Sequence, residues 1–394
     1  MESKKVKRTI LSISLLTVMA GAAVAPALGV IHEHFATVPD ILIKLIISIP
    51  ALFIIITNIF FKYLCRIFRT KNIAIIGLVI YIISGTCAFV ANSIWVLLVF
   101  RAILGISVGL LMPLSTGLLA FYYPPEQQSK LMGEAAAMNQ LGGVVATLLA
   151  GLLSSVSWRL SFMVYLLGLI SIILVMLHLP NDKLVSKNAR MPAKKLLKFH
   201  PSVIGMFLEM MIFFVFPSNY AIIATKQGIF SDKTITIIMV AYDVIGFIIG
   251  LMFGIIMKTC KRSIKYFAPL LFFCSYWFFT LSPTPLTTII ALILGGVANG
   301  IGVPYINTIA SIKGGKHAVT SVMPLISASL YLGQFASPLV VKFFSKILFF
   351  GDINAAYKVA MLFCIIFYIQ VFITKRQQSL PPEPRISKSL NQDN

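Results

Sequence analysis

The feature that most constrains this chain is a succession of apolar runs, each roughly 20 residues long, filling most of its 394 positions. As a helix, a run of that length crosses the ~30 Å of a bilayer's hydrocarbon core. Lipid offers backbone N–H and C=O groups no partner, so such runs must satisfy them internally as helices. The two-residue alternation of a membrane barrel is absent. Charge supports this: 11% of residues are charged and 58% hydrophobic, against about 25% charged in soluble domains. The sequence specifies an all-α polytopic membrane protein.

Twelve spans are predicted, at roughly 10–31, 41–61, 72–91, 95–121, 130–154, 161–179, 202–225, 235–257, 266–282, 287–311, 321–341 and 355–374. Connections are short and polar or proline-bearing, as at Tyr123-Pro124-Pro125-Glu126. The longest runs from Pro180 to Pro201 and carries Lys183, Lys187, Arg190, Lys194, Lys195 and Lys198. It divides the chain into a six-helix bundle over 1–182, a basic cytoplasmic linker over 183–200, a second six-helix bundle over 201–378 and a disordered tail over 379–394. The amino terminus imitates a signal peptide, with Lys4, Lys5, Lys7 and Arg8 before an apolar core and Ala23-Val24-Ala25. Because Pro26 follows and the apolar run continues to Ile31, it reads instead as the first span.

The two bundles repeat one another. In FRAILGISVGLLMPLST the fourth span places Gly105, Gly109 and Pro113 four residues apart; GGVANGIGVPYINT repeats the frame as Gly296, Gly300 and Pro304, 191 residues later. At the same offset Leu141-Gly142 falls on Leu332-Gly333. Repeats of this kind characterise transporters with a binding site at the midplane. The glycines permit close helix contact and the prolines permit bends.

Lysine and arginine placement sets the expected orientation. With the amino terminus cytoplasmic, inside connections hold 25 of the 33 basic residues and outside ones seven, with Arg101 in the membrane. Both termini are therefore expected in the cytoplasm, with Trp95 and Trp158 as outer interface anchors. The net charge of +21 lies in connections without an aromatic-interleaved basic face, which suits anionic lipid and argues against nucleic acid. The five cysteines have no metal-site spacing. His32 and His34 flank Glu33 in what reads as a solvated loop, so no metal is expected.

Nothing in the sequence resembles an ATP engine or an enzyme. Gly314-Gly315-Lys316 lacks the rest of a P-loop, and paired catalytic carboxylates and a nucleophile elbow are missing. The buried charges carry the functional reading. Arg101 lies roughly 9 Å below the outer edge of the fourth span; there an unpartnered arginine costs at least ~2.5 kcal/mol. Asp243 and Glu209 lie inside the eighth and seventh spans, while Glu134 is only a turn into the fifth. Arg101, Asp243 and Glu209 are the proton-coupling candidates; a structural role for each stands beside that reading. Asn139, Gln140, Asn219, Tyr220, Tyr242, Tyr305, Asn307, Tyr331 and Gln334 are candidate cavity residues, with interhelical hydrogen bonding as the alternative.

Twelve spans in two similar halves, a basic central loop and FRAILGISVG in the fourth span resemble the major facilitator superfamily, and within it the twelve-helix bacterial drug:proton antiporters. AGAAVAPALGVIHEHF resembles that group's first helix and loop, and MNQLGGVVATLLAGLLSSVSWRLSF its fifth-helix antiporter motif, with Gly143 where proline is expected. The resemblance implies two bundles around a central cavity, proton coupling through Arg101 and no cofactor beyond a proton gradient. It also implies a small-molecule substrate, a monomer in the plasma membrane, and export of largely apolar, drug-like compounds. The alternatives are a carrier of a polar metabolite and a non-transporting sensor or scaffold.

One departure is marked. The family's loop between helices 2 and 3 reads roughly G-x-L-a-D-r-x-G-r-k, but FKYLCRIFRTK puts Phe61, Cys65 and Phe68 at the glycine, aspartate and second glycine. That aspartate helps latch the cytoplasmic side in the family. Arg66 and Arg69 keep the basic character, and Glu126 or Glu134 is expected to supply them with the missing negative charge.

Overall fold

The computed structural model describes residues 2–35, 37–154, 156–183, 196–228, 230, 232–281, 284–315 and 318–374. Most of the linker 183–200 and the whole tail 379–394 lie outside these residues. The described residues are helical almost throughout, without strands.

In the first half the helices are α1 (Glu2–Ala22), α2 (Leu28–His34), α3 (Asp40–Ile67), α4 (Thr70–Cys87), α5 (Ile94–Tyr122), α6 (Pro125–Ser154) and α7 (Gly168–His178). The second half holds α8 (His200–Phe213), α9 (Val215–Gln227), α10 (Asp232–Cys260), α11 (Phe267–Thr280), α12 (Pro285–Gly314), α13 (Met323–Leu348) and α14 (Ala355–Ile373). Local chemistry sets the ends. The Ser93 hydroxyl caps α5 by accepting from the Val96 N–H at 3.3 Å. Thr284 and Thr287 form a reciprocal capping box before α12, whose first residue is Pro285. That helix stops at Gly315, whose φ of 48° suits a residue without Cβ.

Ten stretches among the described residues are long and apolar enough to cross a membrane. One of them, Ile237–Thr280, holds both α10 and α11 around a tight turn. The helix α1 is not among them, because Lys4, Lys5, Lys7 and Arg8 occupy its first turns. With these two reconciled, every predicted span corresponds to a helical pass. Five passes are not single α-helices: the first is broken after Ala22 by a 3-10 turn over Ala25–Ala27, the third ends in a 3-10 turn over Ala88–Val90, the sixth begins as a 3-10 turn over Trp158–Leu167, the seventh is interrupted at Phe214, and the eleventh begins as a π-turn over Ala318–Val322.

Packing repeats between halves. Helix α3 packs on α5 as α10 packs on α12, and α1 on α6 as α8 on α13. The glycine frame makes these approaches possible. A Cβ on Gly105 would lie 2.5 Å from the Pro50 carbonyl oxygen of α3, and one on Gly109 2.6 Å from Thr57 Cβ. In the second half, Cβ atoms on Gly296 and Gly300 would lie 2.8 and 2.7 Å from Ile245 and Ile249 of α10. Gly142 meets the Leu15 carbonyl of α1, and Gly333 meets the Phe207 carbonyl of α8. Pro113 and Pro304 both lie inside their helices.

Trp158 begins its span, at the expected boundary, but its ring turns into the bundle. It is buried and packs against His34 and Phe35 of the first pass, 5.4 and 5.9 Å between ring centroids, while Trp95 is exposed. The Ser157 cap and the 3-10 turn aim residue 158 inward, which a hydropathy edge does not reveal.

Candidate functional site

The halves meet through α6 against α10 and α12, and through α3 and α5 against α13 and its π-turn. Small residues make the contact. Gly133 of α6 abuts Gly250 and Phe253, Gly254 abuts Lys130, and a Cβ on Gly117 of α5 would lie 2.8 Å from Val319 Cα. Hydrogen bonds among the described residues cross between halves from Asn58 Nδ2 to Ser327 Oγ at 2.8 Å and from Ser311 Oγ to Gln128 Oε1 at 2.6 Å. Gln128 is held in place by its own amide, which donates to the Ala120 and Tyr123 carbonyls. All these contacts lie in the half of the molecule nearer the described chain ends, hereafter the terminal face.

Toward the other face burial along the facing helices falls. Residues seven apart share a helix face. On α5, Gly117 is covered by Val319 and Leu110 is 5% exposed, but Ile103 is 37% and Val96 45% exposed. On α10, Phe253, Gly250 and Gly246 are buried, whereas Asp243 and Met239 along the same stripe are half-buried. On α6, Gly133 and Ala137 are buried and Gln140 and Val144 half-buried. Along these stripes burial falls from the terminal face toward the other, so the halves are packed most tightly at the terminal face.

Of the candidate cavity residues, Gln140 faces this junction, its Nε2 against Gly246 and without a hydrogen bond among the described residues. Asn139 Oδ1 lies 3.0 Å from Thr17 Oγ1 within the first half. Asn219 Nδ2 donates to the Val215 carbonyl of its own helix. Tyr220 and Tyr242 are buried in an aromatic stack, 4.8 and 4.2 Å from the Phe216 ring. Asn307 and Tyr331 are buried, Gln334 is half-buried, and Tyr305 lines a cleft inside the second half.

The charged candidates are not brought together. Arg101 is buried inside the first half, where Nε donates to the Ile46 carbonyl at 2.8 Å and Nη1 to the Tyr165 hydroxyl at 2.7 Å. Tyr165 in turn donates to the Ala20 carbonyl at 2.9 Å, so one guanidinium ties α5 to three other passes. Arg101 has no carboxylate partner among the described residues, and its Nη2 is buried without a hydrogen bond. Glu209 is completely buried in the second half, both carboxyl oxygens without a hydrogen bond, packed against Gly302 of α12. Asp243 is half-buried on the same α10 stripe as Gly246, Gly250 and Phe253, farther from the terminal face.

The expected latch is built differently. Glu134 pairs with Lys7 at 2.6 Å, within the first half. Arg66 lies over Tyr63 of its own helix, 5.5 Å from the ring centroid, while Arg69 and Glu126 are exposed. Neutral amide–hydroxyl bonds join the halves where the sequence led us to expect ions. Gln128, Ser311, Ser327, Tyr165 and Gly302 were not singled out by sequence; their one signal is a small or polar type on a face otherwise built from large apolar residues.

The Major Facilitator Superfamily model matches residues 10–338. The chain is 27% identical over 240 residues to the quinolone resistance protein NorA of Staphylococcus aureus (strain Mu50 / ATCC 700699), a stretch covering 58% of each protein. It is 30% identical over 100 residues to multidrug resistance protein 3 of Bacillus subtilis (strain 168), covering 25% of this chain and 20% of that one. The alignments thus span little more than half of the first relative's length. Among solved structures, the human organic anion transporter MFSD10 superposes with a TM-score of 0.80 at 15% identity, covering 93% of this chain and 99% of that one. The proton:xylose symporter XylE gives 0.76 at 14% identity, covering 95% and 96%. Both likenesses concern the fold alone.

Proposed function

The chain belongs to the major facilitator superfamily, whose members are transporters and not enzymes, and from that premise we propose that it exports small, largely apolar compounds in exchange for protons. The observation that carries this reading is a junction between halves shut at one end by interlocked glycines, with burial along the facing stripes falling toward the other end, which we read as a gap open there along apolar walls. A concave, mostly apolar space with a few polar groups suits a lipophilic ligand; here Gln140 and Asp243 front it, and the buried cation Arg101 does not. The relatives named for quinolone and multidrug resistance support the substrate class. Lysine and arginine counts support a cytoplasmic terminal face, and the family match supports the plasma membrane, so the gap would face outward.

Asp243 is the proposed proton carrier facing the gap; Glu209 is a second, and Arg101 acts by holding the first half rigid. The test is reconstitution of the whole chain in proteoliposomes with ethidium or a fluoroquinolone as probe. An imposed pH gradient should drive uptake, a protonophore should abolish it, and Asp243→Asn should slow it by about tenfold, a coupling of ~1.4 kcal/mol. Gradient-driven uptake that is equal in parent and Asp243→Asn would refute that assignment. Transport of a sugar or organic anion but of neither probe would favour the polar-metabolite carrier, and no transport of any probe the scaffold.

A further inference from the structure

Besides the gap between halves, the second half contains a cleft of its own. It has a cavity volume of about 30 Å³ and is lined by α8, α12, α14 and the turn before α11. That is room for about two waters and far too little for a drug-sized molecule. Toward the terminal face its walls are Lys265, Gln370 and Thr374; Gln370 reaches across it to donate to the Pro201 carbonyl at 3.0 Å. Deeper in, they are Gly205 and Gly302. Against Gly302 lies the Glu209 carboxyl, one helical turn beyond Gly205, and any Cβ on residue 302 would collide with it.

Two buried carboxyl oxygens without a partner call for an account, since such groups are nearly always satisfied by protein or by ordered water. A water-sized cleft whose wall includes Gly302, the residue against which the carboxyl packs, supplies one. We propose that Glu209 exchanges its proton with the terminal face through this cleft, along a short file of waters inside the second half, and not through the gap between halves. The proton path and the substrate path are then physically separate. The carboxyl can equilibrate with the terminal face while the gap is shut there. The reaction is a proton transfer alone: the carboxylic O–H passes its proton to the adjacent water, and the file passes a proton to bulk solvent.

The surroundings suit a proton better than a metal cation. The titratable groups around Glu209 are Tyr242 of α10 and Cys364 of α14, with Tyr276 of α11 bonded to the Ile212 carbonyl, and Tyr305 and Lys265 along the cleft. Helix α13 meets α8 through Ser329 and Ser337, whose hydroxyls donate to the Val203 and Met211 carbonyls. None of these is a second carboxylate, and Lys265 at the mouth repels cations.

The inference rests on proton coupling as proposed above but is tested without it. The full chain in phosphatidylcholine–phosphatidylglycerol nanodiscs is moved into D2O at pD 5 and followed by infrared spectroscopy. The protonated-carboxyl band lost in Glu209→Gln identifies this residue; no difference between parent and Glu209→Gln overturns the proposal. Gly205→Leu, which fills the cleft, should slow deuteration of that band about tenfold, and so should Gln370→Leu, a half-buried site that keeps folding testable. Ile204→Leu, on the exposed side of the same turn, should leave it unchanged. Deuteration as fast in both cleft variants as in the parent refutes the path. If pH-driven ethidium transport fails in the parent while the cleft variants still slow exchange, the antiport reading falls and the path stands.

Discussion

Arg101 shows how one side chain can be legible in type and illegible in role. Its sequence position, a lone cation amid apolar residues, marked it as exceptional. Its bonds to the Ile46 carbonyl and the Tyr165 hydroxyl make it a tie inside one half, out of contact with any acidic partner among the described residues. Tyr165→Phe leaves the guanidinium and the Ala20 carbonyl each short of a partner and should cost about 1–3 kcal/mol. Arg101→Ala, which also opens a cavity, should cost more, about 3–5 kcal/mol. Thermal melts in detergent rank the two, and the reverse order would contradict this account. Outside the membrane, the Lys358 ammonium and the Asn354 N–H hold the Asp352 carboxyl below its usual range. A depressed carboxylate stabilises the fold above its unfolded-state value and loses that contribution as pH falls through its folded one. Asp352→Asn should therefore flatten the acid limb of the melting curve, by under about 1 kcal/mol because solvent reaches and screens the pair.

Among elements, the repeat offset read from the sequence corresponds to physical contacts. Gly142 and Gly333 each receive a carbonyl of the first helix of their own half. A methyl on Gly142 would strike the Leu15 backbone, which cannot yield as a side chain can, so Gly142→Ala should destabilise by about 1–3 kcal/mol. Gly143→Ala meets only the flexible tip of Val18 at 3.3 Å and should cost clearly less. Equal melting temperatures for the two variants would show that the close approach does not matter. What the sequence did not reveal are the breaks within passes, after Ala22, at Phe214 and at the turns before α7 and α13. Hydropathy reports whether a segment is in lipid; a 3-10 or π turn within it depends on neighbouring helices that satisfy the freed groups.

For the whole molecule, closure of the terminal face is the decisive property. A Cβ on Gly117 would lie 2.8 Å from Val319 Cα, too close for the backbones to keep their approach, so Gly117→Ala should force that face apart. The closed fraction, read by fluorescence from labels across the face, should fall in this variant; an unchanged fraction would mean that this contact does not hold the face shut. Because Gln128–Ser311 and Asn58–Ser327 are neutral, the closed fraction, read by fluorescence from labels across that face, should change little between about 0.05 and 0.5 M salt, whereas an ionic latch would weaken. The sequence alone determined the helical membrane class, the number of passes and the duplication, because hydrocarbon imposes one requirement on every segment and glycine spacing records where backbones touch. Only the tertiary structure decided which polar side chains meet. It set Arg101 with a tyrosine, Glu134 with Lys7 and Glu209 with no partner, since the azimuth and depth of each helix are fixed by packing against neighbours from distant parts of the chain.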